Sequence, residues 1–345
     1  MPMDSTQLTL WDTEPQGEAA APSRDVAPGG GATSDLLPES PKRIGEAERM
    51  ALTVGRRGLS PIYLEHSVAD PLPETLARRN RGKRIVFGWY GGKFSHLDWL
   101  LPLLPAAHHY CEPFAGSAAV LINRTPSPVE TYNDIDGEVV NFFKVLRESP
   151  EELTRMIALT PFSREEFYFA VNEPARRLSA LERARRFYVR ARQARTGLAQ
   201  TATLGRWANC RNTSRAGMSG VVSRWLGGVG VLPEIGERLL RVQIENRPAT
   251  DIIRLYDGPG TLFYCDPPYL HQTRGDSKAY GFEMDEEQHR ELAAALRRIK
   301  GKAAVSGYRC ELMDKLYKGW RRFDADEKHC HSIKQLRQEC VWMNY

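Results

Sequence analysis

Leu262-Phe263-Tyr264-Cys265-Asp266-Pro267-Pro268-Tyr269 is an apolar run that ends abruptly in an acid, two prolines and a tyrosine. Proline cannot donate to a sheet ladder and restricts the residue before it. The run therefore reads as a strand whose exit loop holds the Asp266 carboxylate and the Pro267 carbonyl in one orientation. Two acceptors side by side suit a difficult reaction, substitution at an aromatic amine, whose lone pair is delocalised into the ring. If the amino group donates to Asp266 and to the Pro267 carbonyl, its nitrogen moves towards tetrahedral geometry and the lone pair turns to an electrophile. Tyr269 would then stack on the ring that carries the amine. Taken alone, the tetrapeptide reads equally well as a Pro-Pro turn after a core strand.

Two upstream segments have the residue types of a nucleotide-like cofactor site, and a third is a glycine turn with marked flanks. Glu112-Pro113-Phe114-Ala115-Gly116-Ser117-Ala118 follows a short strand and opens a helix, where a glycine turn lets a ligand approach backbone closely. Asn133-Asp134-Ile135-Asp136 comes after the next strand, about 20 residues on, where dinucleotide-type folds place an acid on ribose hydroxyls. Asp134 is the candidate, and Asp136 is read as the cap of the helix that begins near Glu138. Trp89-Tyr90-Gly91-Gly92-Lys93 flanks a glycine turn with an aromatic ring and a cation. A nicotinamide oxidoreductase would account for the glycine turn and the acid, but it leaves Asp-Pro-Pro-Tyr without a role.

Together, and in this order, the segments resemble the Dam-like class of adenine-N6 DNA methyltransferases. Ala118 departs from the second glycine of that class's Phe-x-Gly-x-Gly motif, which is expected to narrow the turn. The resemblance covers residues 84 to 345 and implies S-adenosylmethionine as donor, direct in-line displacement without a covalent enzyme intermediate, and an adenine flipped out of double-stranded DNA. It implies catalytic roles for Asp266, Pro267, Pro268 and Tyr269, and cofactor contacts for Trp89, Lys93, Phe114, Gly116, Asp134 and Asp266. Cys265 precedes the aspartate within the strand and is not read as a nucleophile. Cytosine N4 or a protein amide as acceptor, and an inactive DNA-binding protein on the same scaffold, are the competing readings. A partner restriction enzyme is typical of the class.

The elements that must position these residues are short strands separated by helices. Strand character is expected at Ile85 to Phe87, His109 to Cys111, Val129 to Tyr132, Gln243 to Glu245, Thr261 to Cys265, Ala303 to Ser306 and Cys340 to Tyr345. Helical periodicity is expected at Leu97 to Leu104, Ala118 to Asn123, Val139 to Leu146, Leu178 to Ala194 and Glu286 to Ile299. The fold class is thus α/β, a Rossmann-like methyltransferase sheet with helices on both faces and an inserted helical target-recognition domain. The expected divisions are a disordered tail (1–50), an irregular lead-in (51–83), a first catalytic part (84–150), the helical insertion (151–249) and a second catalytic part (250–345).

Charge points to the partner. The net charge is only +5, but residues 176 to 247 hold fifteen Arg, no Lys and four acids, a net of +11. Such a segment is the expected polyanion contact. Within it Trp207 to Gly228 is polar, glycine-rich and aromatic and reads as a mobile hairpin or loop entering a groove, with Arg211, Arg215 and Arg224 as DNA-binding candidates. His289 is expected to be packed or capping.

Six scattered cysteines without CxxC spacing read as reduced, and His329-Cys330-His331 has no matching ligand pair, so no metal is expected. No apolar run approaches the ~20 residues of a membrane helix, and no secretory pattern opens the chain, so a cytoplasmic protein is expected. Gln7-Leu8-Thr9-Leu10-Trp11 resembles the short peptide by which bacterial DNA enzymes dock on the sliding clamp.

Overall fold

A computed structural model of the chain describes residues 82–172, 177–195, 199–215, 217–273, 281–325, 328–329 and 336–345. The tail, most of the lead-in, the Gln7–Trp11 run, Cys330 and His331 lie outside the described residues.

Seven strands form the central sheet: β1 (His109–Glu112), β2 (Val129–Asn133), β3 (Val242–Glu245), β4 (Thr261–Cys265), β5 (Lys302–Tyr308), β6 (Arg321–Asp324) and β7 (Glu339–Met343). They lie in the order β3-β2-β1-β4-β5-β7-β6. Strands β3 through β5 in that order pair in parallel, with His109 opposite Thr261 and Cys111 opposite both Phe263 and Thr131. β7 runs antiparallel between β5 and β6. The chain leaves β1 for β2 on one side and meets β4 on the other, so the crevice between the carboxyl ends of β1 and β4 is the place where a parallel sheet binds ligands.

Helices cover both faces, which is why the central strands are buried throughout rather than alternately. Alternation still decides which face each side chain serves. Tyr110, Leu262 and Tyr264 join the core beneath the helices that follow β2, whereas Cys111, Phe263 and Cys265 join the core beneath α9 (Ala249–Tyr256), α10 (Glu286–Leu296) and α11 (Glu311–Leu316). Two elements precede these, the short α1 (Leu97–Leu100) and α2 (Ala119–Asn123).

Between β2 and β3 lie α3 (Gly137–Glu148), α4 (Pro150–Leu159), α5 (Arg164–Asn172), α6 (Ala180–Gln193), α7 (Gly220–Val229) and α8 (Leu232–Leu239). Asp136 caps α3 by accepting from the Glu138 amide at 2.9 Å, and Ser179 caps α6. On α6, of the residues whose spacing predicts the apolar face, Ala184, Phe187, Tyr188 and Ala191 are buried and Leu181 is half-buried against the same core. These helices share one apolar cluster with the sheet through Phe87, Phe142, Phe143 and Phe187.

The structure departs from the sequence reading at four places. Ile85 to Phe87 is not a strand, because Val86 and Phe87 are drawn into the aromatic cluster instead of pairing. β6 was not foreseen: Arg321-Arg322-Phe323-Asp324 carries the charges that mark an edge strand and so lacks an apolar signal. β7 is antiparallel in a sheet expected to be parallel. Residues 220–229, expected as loop, form α7, and Trp225 is buried against Tyr188 and Phe162. A two-residue ladder pairing Ser214 with Ser219 and Arg215 with Met218 is the hairpin part of that stretch.

Candidate active site

The exits of β1 and β4 frame a cavity of about 600 Å³. Trp89, Lys93, Phe114, Gly116, Asp134 and Asp266 all line it, as does Pro268. The glycine turn is held by its own geometry. Gly116 has φ +48°, and a Cβ there would lie 2.5 Å from the Trp89 indole nitrogen, so the residue admits no side chain. Ala118 also adopts the left-handed region, with φ 56°, and is fully buried. The alanine at this position takes the glycine-like conformation and bears the strain, of about 1 kcal/mol.

Asp134 ties this turn to the next strand exit. Its carboxylate accepts from the Gly116 amide at 2.8 Å and from the Asp136 amide at 2.9 Å. Burial pushes its pKa up to about 6, against those two hydrogen bonds. Glu112, at the end of β1, is 2% exposed and lines the same cavity. It accepts from the Tyr110 hydroxyl at 2.7 Å, and burial pushes its pKa up to about 8.

Asp266 is held from two sides. Lys93 Nζ donates to it at 2.7 Å and Ser306 Oγ donates to Oδ1 at 2.7 Å. Lys93 also donates to the Gly91 carbonyl at 2.7 Å and lies 3.5 Å from Glu339. Burial works against the Lys93 ammonium, yet Asp266 and Glu339 outweigh it and raise its pKa. A carboxylate has about four acceptor positions, so Asp266 retains capacity for a further donor from the cavity. The loop after it is fixed through His289, 1% exposed on α10, whose Nε2 lies 3.0 Å from the Pro268 carbonyl.

Pro267 is buried, and Tyr269 is only 5% exposed. The Tyr269 hydroxyl donates to Glu339, its ring meets Tyr308 edge-on at 4.8 Å, and Lys93 Nζ sits 4.9 Å from its centroid. The ring read as stacking on the base is packed against Lys93 and Tyr308. Its buried setting raises the phenol pKa well above the ordinary value. Cys265 is fully buried, and burial likewise raises its thiol.

At least six of the segment's fifteen arginines are engaged by groups of the protein itself. Arg183 pairs with Glu138, Arg185 with Glu182 and Glu166, Arg186 with Glu182, and Arg238 with buried Glu130. Arg190 and Arg241 donate to main-chain carbonyls of Ala170 and Ser127. Arg211, Arg215 and Arg224 are exposed, the second on the hairpin and the third on α7.

Sequence reasoning left out Ser306, Glu339 and Gln200, and gave Glu112 no role of its own. Ser306 stood in a segment read only as a strand and Glu339 just ahead of another, and nothing local marks them, since each reaches the site only through sheet pairing. Glu112 had a signal, an acid at a strand exit next to a glycine turn. Among the described residues, no group of His, Cys, Asp and Glu is arranged to hold a metal ion, and no helix is long and apolar enough to cross a membrane.

With this geometry in view, residues 89–338 match the family model described as D12 class N6 adenine-specific DNA methyltransferase. The chain is 25% identical over 222 residues to the DNA N-6-adenine-methyltransferase of Escherichia phage P1, covering 62% of this chain and 28% of that protein. It is 30% identical over 109 residues to the type II methyltransferase M1.LlaDCHI of Lactococcus lactis subsp. cremoris, 28% of this chain and 37% of the relative. A DNA adenine methylase of Vibrio cholerae serotype O1 is 32% identical over 71 residues, 20% of this chain and 24% of the relative. The chain thus spans well under half the length of each of these relatives.

Proposed function

The chain belongs to the D12 class N6 adenine-specific DNA methyltransferases, and on that premise we propose that it transfers a methyl group from S-adenosylmethionine to N6 of adenine in double-stranded DNA. The observation that carries this reading is the Asp266 carboxylate, fixed by Lys93 and Ser306 at the wall of a cavity that also presents the glycine turn and Asp134.

The cavity suits that donor. Its described lining has the acids Asp134, Asp266, Glu283 and Glu291, with Glu112 holding its proton at neutral pH, against one base, Lys93, which Asp266 and Glu339 already engage. Such a lining favours a cationic sulfonium and disfavours the pyrophosphate of a nicotinamide dinucleotide. The helix that follows the glycine turn, α2, has only five residues and offers little dipole to a phosphate. When bound, S-adenosylmethionine supplies a methyl group on a positively charged sulfur. Asp134 would hold its ribose, while Trp89, Phe114 and Gly116 shape the surrounding wall.

Asp266 and the Pro267 carbonyl would accept the two hydrogens of the adenine amino group and aim its lone pair at the methyl carbon. Lys93 and Ser306 keep the carboxylate oriented, so no rotation is needed when the base arrives. The extra proton left on N6 after transfer passes to Asp266 or to solvent. An extruded base has to reach this corner from the duplex, and Arg211, Arg215 and Arg224 would be among the exposed cations that meet its phosphates.

Asp266→Ala tests the proposal. Transfer of labelled methyl from S-adenosylmethionine to duplex DNA should fall by at least about a hundredfold, with the unfolding transition retained. Retained transfer would remove the mechanism. Identification of the methylated base in the wild-type product separates adenine N6 from cytosine N4.

A further inference from the structure

Gln200 lies in the segment between α6 and the Ser214–Ser219 hairpin, yet its side chain lines the cavity. Nε2 donates to Asp136 Oδ2 at 2.8 Å, and Oε1 accepts from the Gly281 amide at 3.1 Å. Both ends of one amide are therefore used, each on a different wall. Asp136 directly follows Asp134 and Ile135 on the wall built after β2. Gly281 leads into Phe282, Glu283 and Met284, which also line the cavity, ahead of α10.

A Cβ at Gly281 would lie 3.1 Å from the Gln200 Cβ, so a side chain there would require the glutamine to give by a few tenths of an ångström. Hydrogen bonds run without a break from the Gly116 amide to Asp134, from the Asp136 amide to Asp134, from Gln200 to Asp136, and from Gly281 to Gln200. They form a belt in the cavity lining from the glycine turn to Gly281. The chain continues from there into α10, whose His289 meets the Pro268 carbonyl of the Asp-Pro-Pro-Tyr loop.

The segment bearing Gln200 is pinned at its base. The Ala208 amide donates to the Gln193 carbonyl at 2.7 Å, Trp207 Nε1 donates to the Gln193 side chain at 3.2 Å, and Ala194 bridges Trp207. From the same base the chain goes on to Arg211 and Arg215. Gln200 and the exposed arginines therefore hang from one anchor, one directed into the cavity and the others to the surface.

We infer that Gln200 is a positioning residue that joins the two walls of the donor cavity to the arginine-bearing segment, so that donor affinity depends on it and is linked to DNA engagement. The inference rests on the proposed methyltransferase reading. Occupancy of the surface arginines by DNA holds the shared anchor, and the anchor holds Gln200 between the walls. Reciprocally, a donor that closes the walls on the amide favours the DNA-engaged arrangement.

The test is calorimetric titration of the full chain with S-adenosylmethionine, and with S-adenosylhomocysteine when duplex DNA is present so that no turnover intervenes. Gln200→Ala should weaken donor binding roughly tenfold, the scale of a lost hydrogen bond to a charged group. The donor KM should rise in proportion, while kcat at saturating donor stays within about threefold. Gln200→Glu should be at least as damaging, because the new carboxylate faces Asp136 and cannot donate to it. Asp136→Asn placed in the Gln200→Glu background should restore most of the affinity: the amide at 136 still caps α3 and now donates, and the carboxylate at 200 still accepts from Gly281. Duplex DNA should tighten S-adenosylhomocysteine binding to the wild type and tighten it less in Gln200→Ala.

Wild-type affinity in all three variants, or a pair no better than Gln200→Glu alone, overturns the positioning role. Equal DNA enhancement in wild type and Gln200→Ala overturns the linkage. Failure of the wild type itself to bind the donor would instead fall on the methyltransferase reading. Unfolding curves identify any variant whose loss comes from misfolding, and rescue by the paired substitution is an outcome that a damaged fold does not give.

Discussion

Replacing Glu112 with glutamine should remove the pH dependence that this one side chain imposes on stability. Glu112 is 2% exposed at the end of β1, and burial raises its pKa from 4.5 to about 8 against the opposing effects of the Tyr110 hydrogen bond and Arg124. Between those two pH values the folded protein keeps a proton that the unfolded chain has released. Stability must therefore fall as pH rises through the window. At about 1.4 kcal/mol per pH unit the displacement corresponds to about 5 kcal/mol, and relaxation at the cavity wall makes about 2–5 kcal/mol the expected range. In Glu112→Gln the amide oxygen still accepts from Tyr110, but the amide hydrogens need acceptors, which costs about 1 kcal/mol. The variant should thus be slightly less stable than wild type at pH 5 and clearly more stable at pH 9, with the two curves crossing between. Thermal unfolding at pH 5, 6, 7, 8 and 9 reads this directly, since about 2–4 °C per kcal/mol is expected for a folded unit of this size. The buried Asp134, whose pKa lies near 6, contributes a decline of the same sign at lower pH, but it is present in both proteins and cancels in the comparison. Parallel stability curves from pH 5 to pH 9 would refute the argument.

Lys93→Met leaves Asp266 and Glu339 facing one another without their shared cation, and denaturant unfolding at pH 7 should show a loss of about 3–5 kcal/mol together with loss of methyl transfer. Gly116→Ala places a methyl group 2.5 Å from the Trp89 indole nitrogen on a backbone with φ +48°, so it should destabilise by about 2–4 kcal/mol and weaken donor binding in calorimetry. Removing Arg211, Arg215 and Arg224 together should lower the salt slope of DNA binding by up to about 3, whereas Arg183→Ala, which removes a partner of Glu138, should leave the slope unchanged and lower stability instead. Filter binding across a range of ionic strength distinguishes the two kinds of arginine.

The features legible in the sequence are those whose physical cause lies within a few residues. Thr261 to Cys265 is a strand because β-branched and aromatic residues run up to an acid and two prolines that cannot continue a ladder, and the structure places its ends at those residues. Asp136 caps α3 and the buried face of α6 follows its 3.6-residue period, for equally local reasons.

Contacts between distant segments were decided only in three dimensions. Lys93, Asp266, Ser306 and Glu339 meet because β4, β5 and β7 pair side by side, and a register between strands leaves no mark in any one of them. An edge strand such as Arg321–Asp324 carries charge rather than apolar periodicity, so it stays silent until the sheet exists. The same holds for the arginines. Composition sets their number, but whether a guanidinium faces a buried carboxylate, as Arg238 faces Glu130, or stands exposed, as Arg211 does, depends on which helix the fold lays against it.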